Sequence, residues 1–320
     1  MTTRTLPAPR RYLWRRLNRW GQIGAASVLV AMALVGIEAT RSFWPQQLYA
    51  HLSNRWTGDT APGKNVWLPD FKVTVDAKVV EPGLNNLSGI TYDYDRDRLL
   101  AITNGLPMEL LELSKGGDIV ARYPLMDFED TEGLAYLGNG RLAISDEQMQ
   151  RLDVITLPDH PQPIHASQAQ WITLDINPTR RNKGFEGVTY DRQHDRLFAI
   201  KERDPRQLFT VTGMLKALNG GPLQLTVSDR RDWVKRSVFA TDLSDGYYDP
   251  RTGHLLVLSD QSKNITELDG DGRFVSIRSL RAWLGDMHRD APQPEGMTMD
   301  SAGNLYVVSE PNLFYRFSKP

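Results

Sequence analysis

The sequence predicts an all-β chain, a five-bladed β-propeller with six blades as the alternative count, preceded by one N-terminal transmembrane helix. Three observations carry this reading. A glycine preceded by an acidic or hydroxyl residue, and followed by a strand-like run, recurs at Gly89, Gly133, Gly187, Gly246 and Gly296. Successive glycines stand about 44, 54, 59 and 50 residues apart, the spacing of propeller blades. Ahead of them, Trp20 to Ile37 contains no charged residue and follows an arginine-rich start.

The N-terminal region divides in three. Residues 1–19 carry Arg4, Arg10, Arg11, Arg15, Arg16 and Arg19 and no acidic residue, and read as a cytoplasmic basic tail. Residues 20–37 would form a helix of about 27 Å, near the roughly 30 Å of bilayer hydrocarbon. Arginines on that flank put the N-terminus in the cytoplasm. A cleaved signal peptide is the other reading, but its apolar core is usually only ~7–15 residues. The expected location is therefore the cytoplasmic (inner) membrane, single-pass, with the C-terminal domain periplasmic. Residues 38–65 hold Trp44-Pro45, Gly58-Asp59 and Ala61-Pro62-Gly63 with little periodicity, and read as a linker.

Residues 66–320 read as the propeller. Each repeat opens with a strand after its glycine, then a polar turn such as Gly138-Asn139-Gly140 or Ser301-Ala302-Gly303-Asn304. A very apolar second strand follows, as in Leu99-Leu100-Ala101-Ile102 and Leu255-Leu256-Val257-Leu258, and then a third, as in Leu208-Phe209-Thr210-Val211. None of these runs reaches helical length. The chain ends directly after a third strand, so the last blade lacks its fourth. The strand-like segment within residues 66–80 is the piece expected to complete it and close the ring, removing two exposed sheet edges. A sixth blade would have to come from residues 158–184 or 212–243.

Composition excludes several classes of function. A net charge of −1 and a pI near 6.6 give no basic face for nucleic acid. With no cysteine there is neither a disulfide nor a thiolate metal site. No Gly-x-Ser-x-Gly elbow, His-Glu-x-x-His helix or phosphate-binding glycine loop is present.

The motifs Pro294-Glu295-Gly296-Met297 and Ser309-Glu310-Pro311-Asn312-Leu313-Phe314-Tyr315, with Ser259-Asp260 and the ordered repeats, resemble the SdiA-regulated family. The resemblance covers about residues 66–320. It implies a membrane-anchored bacterial protein whose five-bladed propeller is similar to NHL-repeat propellers and binds a calcium ion. The fourth repeat, Leu243-Ser244-Asp245-Gly246, departs from the family's Ser-Gly pattern and sets Asp245 apart from the glutamates.

The first strand of each propeller blade lines the central channel, so the residues entering those strands converge at one mouth. Here they are Ser88, Glu132, Glu186, Asp245 and Glu295, with Asn104, Asp146, Glu147, Glu202, Asp260 and Glu310 following the second strands. Carboxylates gathered about one axis need a cation or raised pKa values. Oxygen donors without Cys or paired His suit Ca²⁺. Glu132, Glu186 and Glu295 are the leading metal ligands, and Glu202 and Glu310 the reserve. The competing reading makes each Glu-Gly a turn device whose carboxylate caps backbone amides. Two functions stay open. One is a binding or sensory module with structural calcium, taking a small-molecule or protein ligand at the propeller face. The other is a calcium-dependent hydrolase of phosphoesters (phytase-like), or of esters or lactones. In the latter, Glu202 would act as general base and Arg180, Arg181, Lys183, Lys201, Arg203 and Arg206 would gather an anion.

Overall fold

The computed structural model describes residues 19–173 and 184–320. Helix α1 (Arg19–Arg41) is long and apolar enough over Ile23–Arg41 to cross a membrane, and its side chains from residue 23 onward are nearly all exposed. A second helix, α2 (Trp44–Thr57), occupies the stretch expected to be a linker. It is attached to the β-domain rather than free of it. The Gln47 amide donates to the Phe239 carbonyl at 2.9 Å, and Asn54 accepts the Ile277 amide at 3.0 Å.

Strand β1 (Lys72–Val79) opens the β-domain and belongs to its last sheet. Blade 1 is β2 (Leu87–Asp93), β3 (Arg98–Thr103), β4 (Glu109–Leu113) and β5 (Ile119–Met126). Blade 2 is β6 (Thr131–Gly138), β7 (Arg141–Asp146), β8 (Arg151–Thr156) and β10 (Gln170–Thr173), while the short β9 (Ile164–His165) adds in parallel to the edge of blade 1. Blade 3 is β11 (Phe185–Asp191), β12 (Arg196–Lys201), β13 (Gln207–Thr212) and β14 (Thr226–Asp229). Blade 4 is β15 (Asp245–Asp249), β16 (His254–Ser259), β17 (Asn264–Leu268) and β18 (Phe274–Ser279). Blade 5 is β19 (Gln293–Met299), β20 (Leu305–Glu310) and β21 (Leu313–Ser318), with β1 as its outer strand.

The described residues form five sheets, one per blade, and the described parts of the segments in reserve for a sixth have other uses. The first supplies β9 and β10. The second supplies helices α3 (Met214–Leu218) and α4 (Arg231–Ser237) with β14 between them.

Closure comes from β1, which pairs antiparallel with β21 from Lys72 opposite Ser318 to Val79 opposite Leu313. The approach to it is pinned by Glu267, buried in blade 4, which accepts the amides of Val66 at 2.7 Å and Trp67 at 2.9 Å. His254 and Ser276 also hydrogen-bond that carboxylate. Apolar second and third strands pack face to face between blades, so the core is five clusters arranged around the ring. One joins Leu100, Ile102 and Leu110 of blade 1 to Leu142, Ile144 and Ile155 of blade 2.

The inner strands touch one another in a closed circuit: β2 meets β6, β6 meets β11, β11 meets β15, β15 meets β19, and β19 meets β2. This crowding explains the repeated glycines. A Cβ on Gly89 would lie 2.5 Å from the Glu132 carbonyl oxygen, and one on Gly133 would lie 2.3 Å from that of Glu186. On Gly296 it would lie 2.7 Å from the Ser88 carbonyl oxygen. No side chain fits at those separations. The aspartates that end the inner strands have an equally local task, capping the following turn: Asp93 accepts the Asp95 and Arg96 amides, and Asp191 those of Gln193 and His194.

Candidate metal centre

Four of the five inner strands carry a β-bulge at the residue pair that the sequence singles out. The register slips between Leu87 and Gly89, Thr131 and Leu134, Phe185 and Val188, and Pro294 and Gly296. Ser88, Glu132, Glu186 and Glu295 sit at those slips. A bulge breaks the two-residue alternation and re-aims a side chain. The inner strand of blade 4 has no bulge: Asp245 pairs with Leu258 and Gly246 with Val257 in unbroken register. Asp245 accordingly stays inside the ring wall, where its carboxylate accepts the Met297 amide at 2.7 Å. The departure in the fourth repeat thus marks a residue that ties blades together.

The three bulge glutamates influence one another. Burial, then the charges of Asp130 and Glu147, hold Glu132 well above the ordinary carboxylate range. Glu186 is raised by burial and then by Glu132, Glu147, Glu202 and Glu295. Glu295 is pushed up to about 10 by burial and then by Asp260, Glu310 and Glu132. Glu202 is lifted to about 7 by burial, against the opposing pull of Arg203, whose guanidinium lies 2.9 Å away. Glu310 is raised by burial and by Asp260. The expected ring of acids is therefore one electrostatic unit, with like charges buried together.

The tightest grouping is in blade 2. One carboxylate oxygen each from Asp130, Glu132 and Glu147 lie within 4.8 Å of one another. Asn104 donates to Glu132, and the Glu147 carboxylate also accepts the Gly184 amide at 2.9 Å. Two oxygens on opposite sides of a Ca²⁺ ion at roughly 2.4 Å would be about 4.8 Å apart, so the spacing fits such an ion. The donor set fits as well, since it is oxygen only. Of the five residues singled out from the sequence, Glu132 lies in this grouping and Glu186 interacts with its Glu147. Glu295, Glu202 and Glu310 belong to the rest of the rim, beside Asp242 and Asp260.

Asp130 and Asp242 were not singled out from the sequence. Asp130 lies two residues before Glu132, and Asp242 three before Asp245, in loops with no common spacing. Asp146, named alongside Glu147, is instead a turn cap that accepts the Met149 amide at 2.9 Å.

Two members of the expected anion-gathering set are engaged with backbone carbonyls. Lys201 is buried and donates to the carbonyl oxygens of Arg203 at 2.6 Å and Pro205 at 3.3 Å. Arg206 donates to the carbonyls of Val238 and Ala240. Arg180, Arg181 and Lys183 lie outside the described residues.

The other ends of the inner strands surround a cavity of about 260 Å³. Tyr92, Tyr136, Tyr190, Tyr247 and Tyr248 line it, with Arg192 and Gln193 at one side. Tyr136 and Tyr190 are held by hydrogen bonds from their hydroxyls to Asp95 at 2.7 Å and Asp195 at 3.0 Å. Among the described residues the lining contains no carboxylate and no histidine.

A family model described as SdiA-regulated matches residues 63–318. Among solved structures, a gluconolactonase from Xanthomonas campestris is similar at 13% identity and a TM-score of 0.46, over 76% of this chain and 89% of that one. Virginiamycin B lyase from Staphylococcus aureus is similar at 13% identity and a TM-score of 0.39, over 72% of this chain and 66% of the lyase. A protein from Bacteroides thetaiotaomicron gives 10% identity and a TM-score of 0.47, over 75% and 61% respectively. Likeness at this level is a matter of fold.

Proposed function

The chain belongs to the SdiA-regulated family, and on that premise we propose that it is a membrane-tethered, extracytoplasmic calcium-binding propeller that serves as a binding or sensory module. The observation that carries the proposal is the convergence of Glu132 and Glu186 with Asp130 and Glu147 at one mouth of the ring. Buried carboxylates this close repel unless they are protonated or neutralised, and a divalent cation neutralises several at once. Glu295, Glu202 and Glu310 would complete the negative rim around it. Bound there, calcium would link loops of neighbouring blades and fix the shape of the face.

The tyrosine-lined cavity at the opposite end supports binding over catalysis. It is concave and pre-formed, its rings are held by aspartates, and it offers no acid–base pair. A small ligand with a planar apolar body would meet aromatic walls there.

One observation favours a second reading, a calcium-dependent hydrolase. Glu202 is a rim carboxylate lifted to about 7 in the metal-free chain, a group able to accept a proton from water. Calcium at such a site would polarise a phosphoryl or carbonyl oxygen. The deciding experiment is to assay the calcium-loaded full-length chain in detergent against phosphoesters, carboxyl esters and lactones. Turnover lost in Glu202→Gln, with folding intact, would establish the hydrolase. A calcium-saturated chain inert toward the whole panel supports the binding module.

A further inference from the structure

Helix α2 has two faces of opposite character. Gln47, Ala50 and Asn54 are buried against the β-domain, at positions that recur every three or four residues. On the opposite side stand Leu48, Tyr49, Leu52 and Trp56, spaced by one to four residues and free of charge. Tyr49 is 74% exposed and Trp56 79%, unusual for large rings in water. The apolar surface continues sideways into a groove of about 430 Å³ between α2 and the Phe239–Phe274 ring pair.

The chain itself indicates what covers this face. Only Ser42 and Phe43 separate α2 from α1, whose length and composition suit a bilayer. Two residues reach at most roughly 7 Å. In a chain tethered by α1, the start of α2 would thus lie within that reach of the level where headgroups meet acyl chains. Tyrosine and tryptophan are enriched there because each joins an apolar ring to a polar N–H or O–H.

We propose that α2 is an interfacial helix. Its outer face of Leu48, Tyr49, Leu52 and Trp56 lies in the headgroup–acyl boundary of the bilayer crossed by α1, and its inner face clamps the propeller to that surface. The proposal rests on the tethered reading above. It adds that the propeller is docked on the lipid rather than swinging from a flexible stalk, which limits the directions its two mouths can face.

The absence of native cysteine makes a direct test available. Single variants Tyr49→Cys and Trp56→Cys of the full-length chain carry a nitroxide in proteoliposomes of phosphatidylethanolamine and phosphatidylglycerol. Electron paramagnetic resonance then compares collisions with apolar oxygen and with a polar nickel chelate. Val30→Cys in α1 and Leu223→Cys, 74% exposed on the β-domain, give the membrane and water references. The oxygen-to-nickel ratio at positions 49 and 56 should exceed that at 223 by at least about threefold, because a face sunk ~5–10 Å into the headgroup–acyl boundary meets more apolar oxygen and less of the polar chelate. Ratios equal to position 223, with position 30 buried in lipid, would overturn the interfacial helix and leave the tether standing. Shielding from both reagents would mean that a protein or a second copy covers the face, which also overturns it. A water-like ratio at position 30 would remove the tether and the proposal together.

Discussion

A Cβ atom on Gly133 would stand 2.3 Å from the carbonyl oxygen of Glu186, so the glycine of blade 2 exists to let the glutamate of blade 3 pass. The same contact recurs between Gly89 and Glu132 and between Gly296 and Ser88. The acidic-residue–glycine pair therefore does two tasks at adjacent positions. Glycine lets the inner strands close on one another, and the residue before it, set in a bulge, delivers a carboxylate to the mouth.

Replacing Gly133 with Ala should consequently destabilise the fold far more than Gly270→Ala, where the nearest atom to an added Cβ is 3.9 Å away. Overpacking of this kind costs about 1–3 kcal/mol or more, whereas an open turn tolerates a methyl group. Urea unfolding of the two variants makes the comparison. Equal midpoints would count against strand crowding as the reason for the repeat.

Ring closure by β1 makes a second expectation. Removing residues 66–80 takes away the outer strand of blade 5 and the anchor on Glu267, leaving the edge of β21 open. Each lost ladder bond is worth roughly 0.5–1.5 kcal/mol, so the total is a large part of a domain's stability. Removing residues 45–57 leaves the ring closed and should lower the melting temperature much less. Equal losses would contradict closure.

The pH dependence of the metal-free chain follows from the raised carboxylates. Glu132, Glu186 and Glu295 hold protons in the folded state at pH values where the unfolded chain has released them. The folded state then binds more protons, so stability must fall as pH rises. The loss starts above about 4.5, the ordinary glutamate value, and continues through about 7 for Glu202 and toward about 10 for Glu295. Chelator-treated protein should melt at a higher temperature at pH 5 than at pH 8. Glu295→Gln should raise the pH 8 value, because the neutral amide replaces a carboxyl group that must take up a proton from solution on folding. If the carboxylates were merely capping amides, that variant would lower it.

Topology in the membrane is checked separately. With the outer envelope opened and the inner membrane intact, added protease should degrade the propeller while a tag at residue 1 stays protected. Protection of the propeller would place it on the cytoplasmic side and contradict the orientation argued from the arginine flank.

What the sequence showed and what it hid have physical causes. The inner and second strands were legible because each inner strand needs its glycine and each second strand, buried on both faces, is almost wholly apolar, as in Leu255–Leu258. The outermost strands β10 and β14 were not. Trp171 is 60% exposed and Val227 46%, so no alternation of buried and solvated positions marks them. Helix α2 is hard to read from sequence because its apolar residues face away from the core, the reverse of the usual stripe. At the mouth, Glu132 and Glu186 were legible through the repeat. Asp130 and Asp242 were not, since loops hold them at unrelated offsets and only folding gathers them. Lys201 looked like an anion contact, but two carbonyl oxygens hold its ammonium group.

The central claim, that the acidic mouth is a calcium site, is tested most directly by calorimetric titration of Ca²⁺ into the chelator-treated, full-length chain in detergent. Saturable binding of one ion is expected, tighter at pH 8 than at pH 6 because the ligands must lose protons. Affinity should fall at least about tenfold in Glu132→Gln and in Glu147→Gln, the loss of one of several carboxylate ligands. It should be unchanged in Asp127→Asn, whose exposed carboxylate pairs with His165 away from the mouth. At one hundred times Kd the ion should stabilise the fold by about 2.7 kcal/mol, roughly 5–10 °C in melting temperature. No saturable heat, or equal affinity in the Glu132→Gln and Glu147→Gln variants, would contradict the claim.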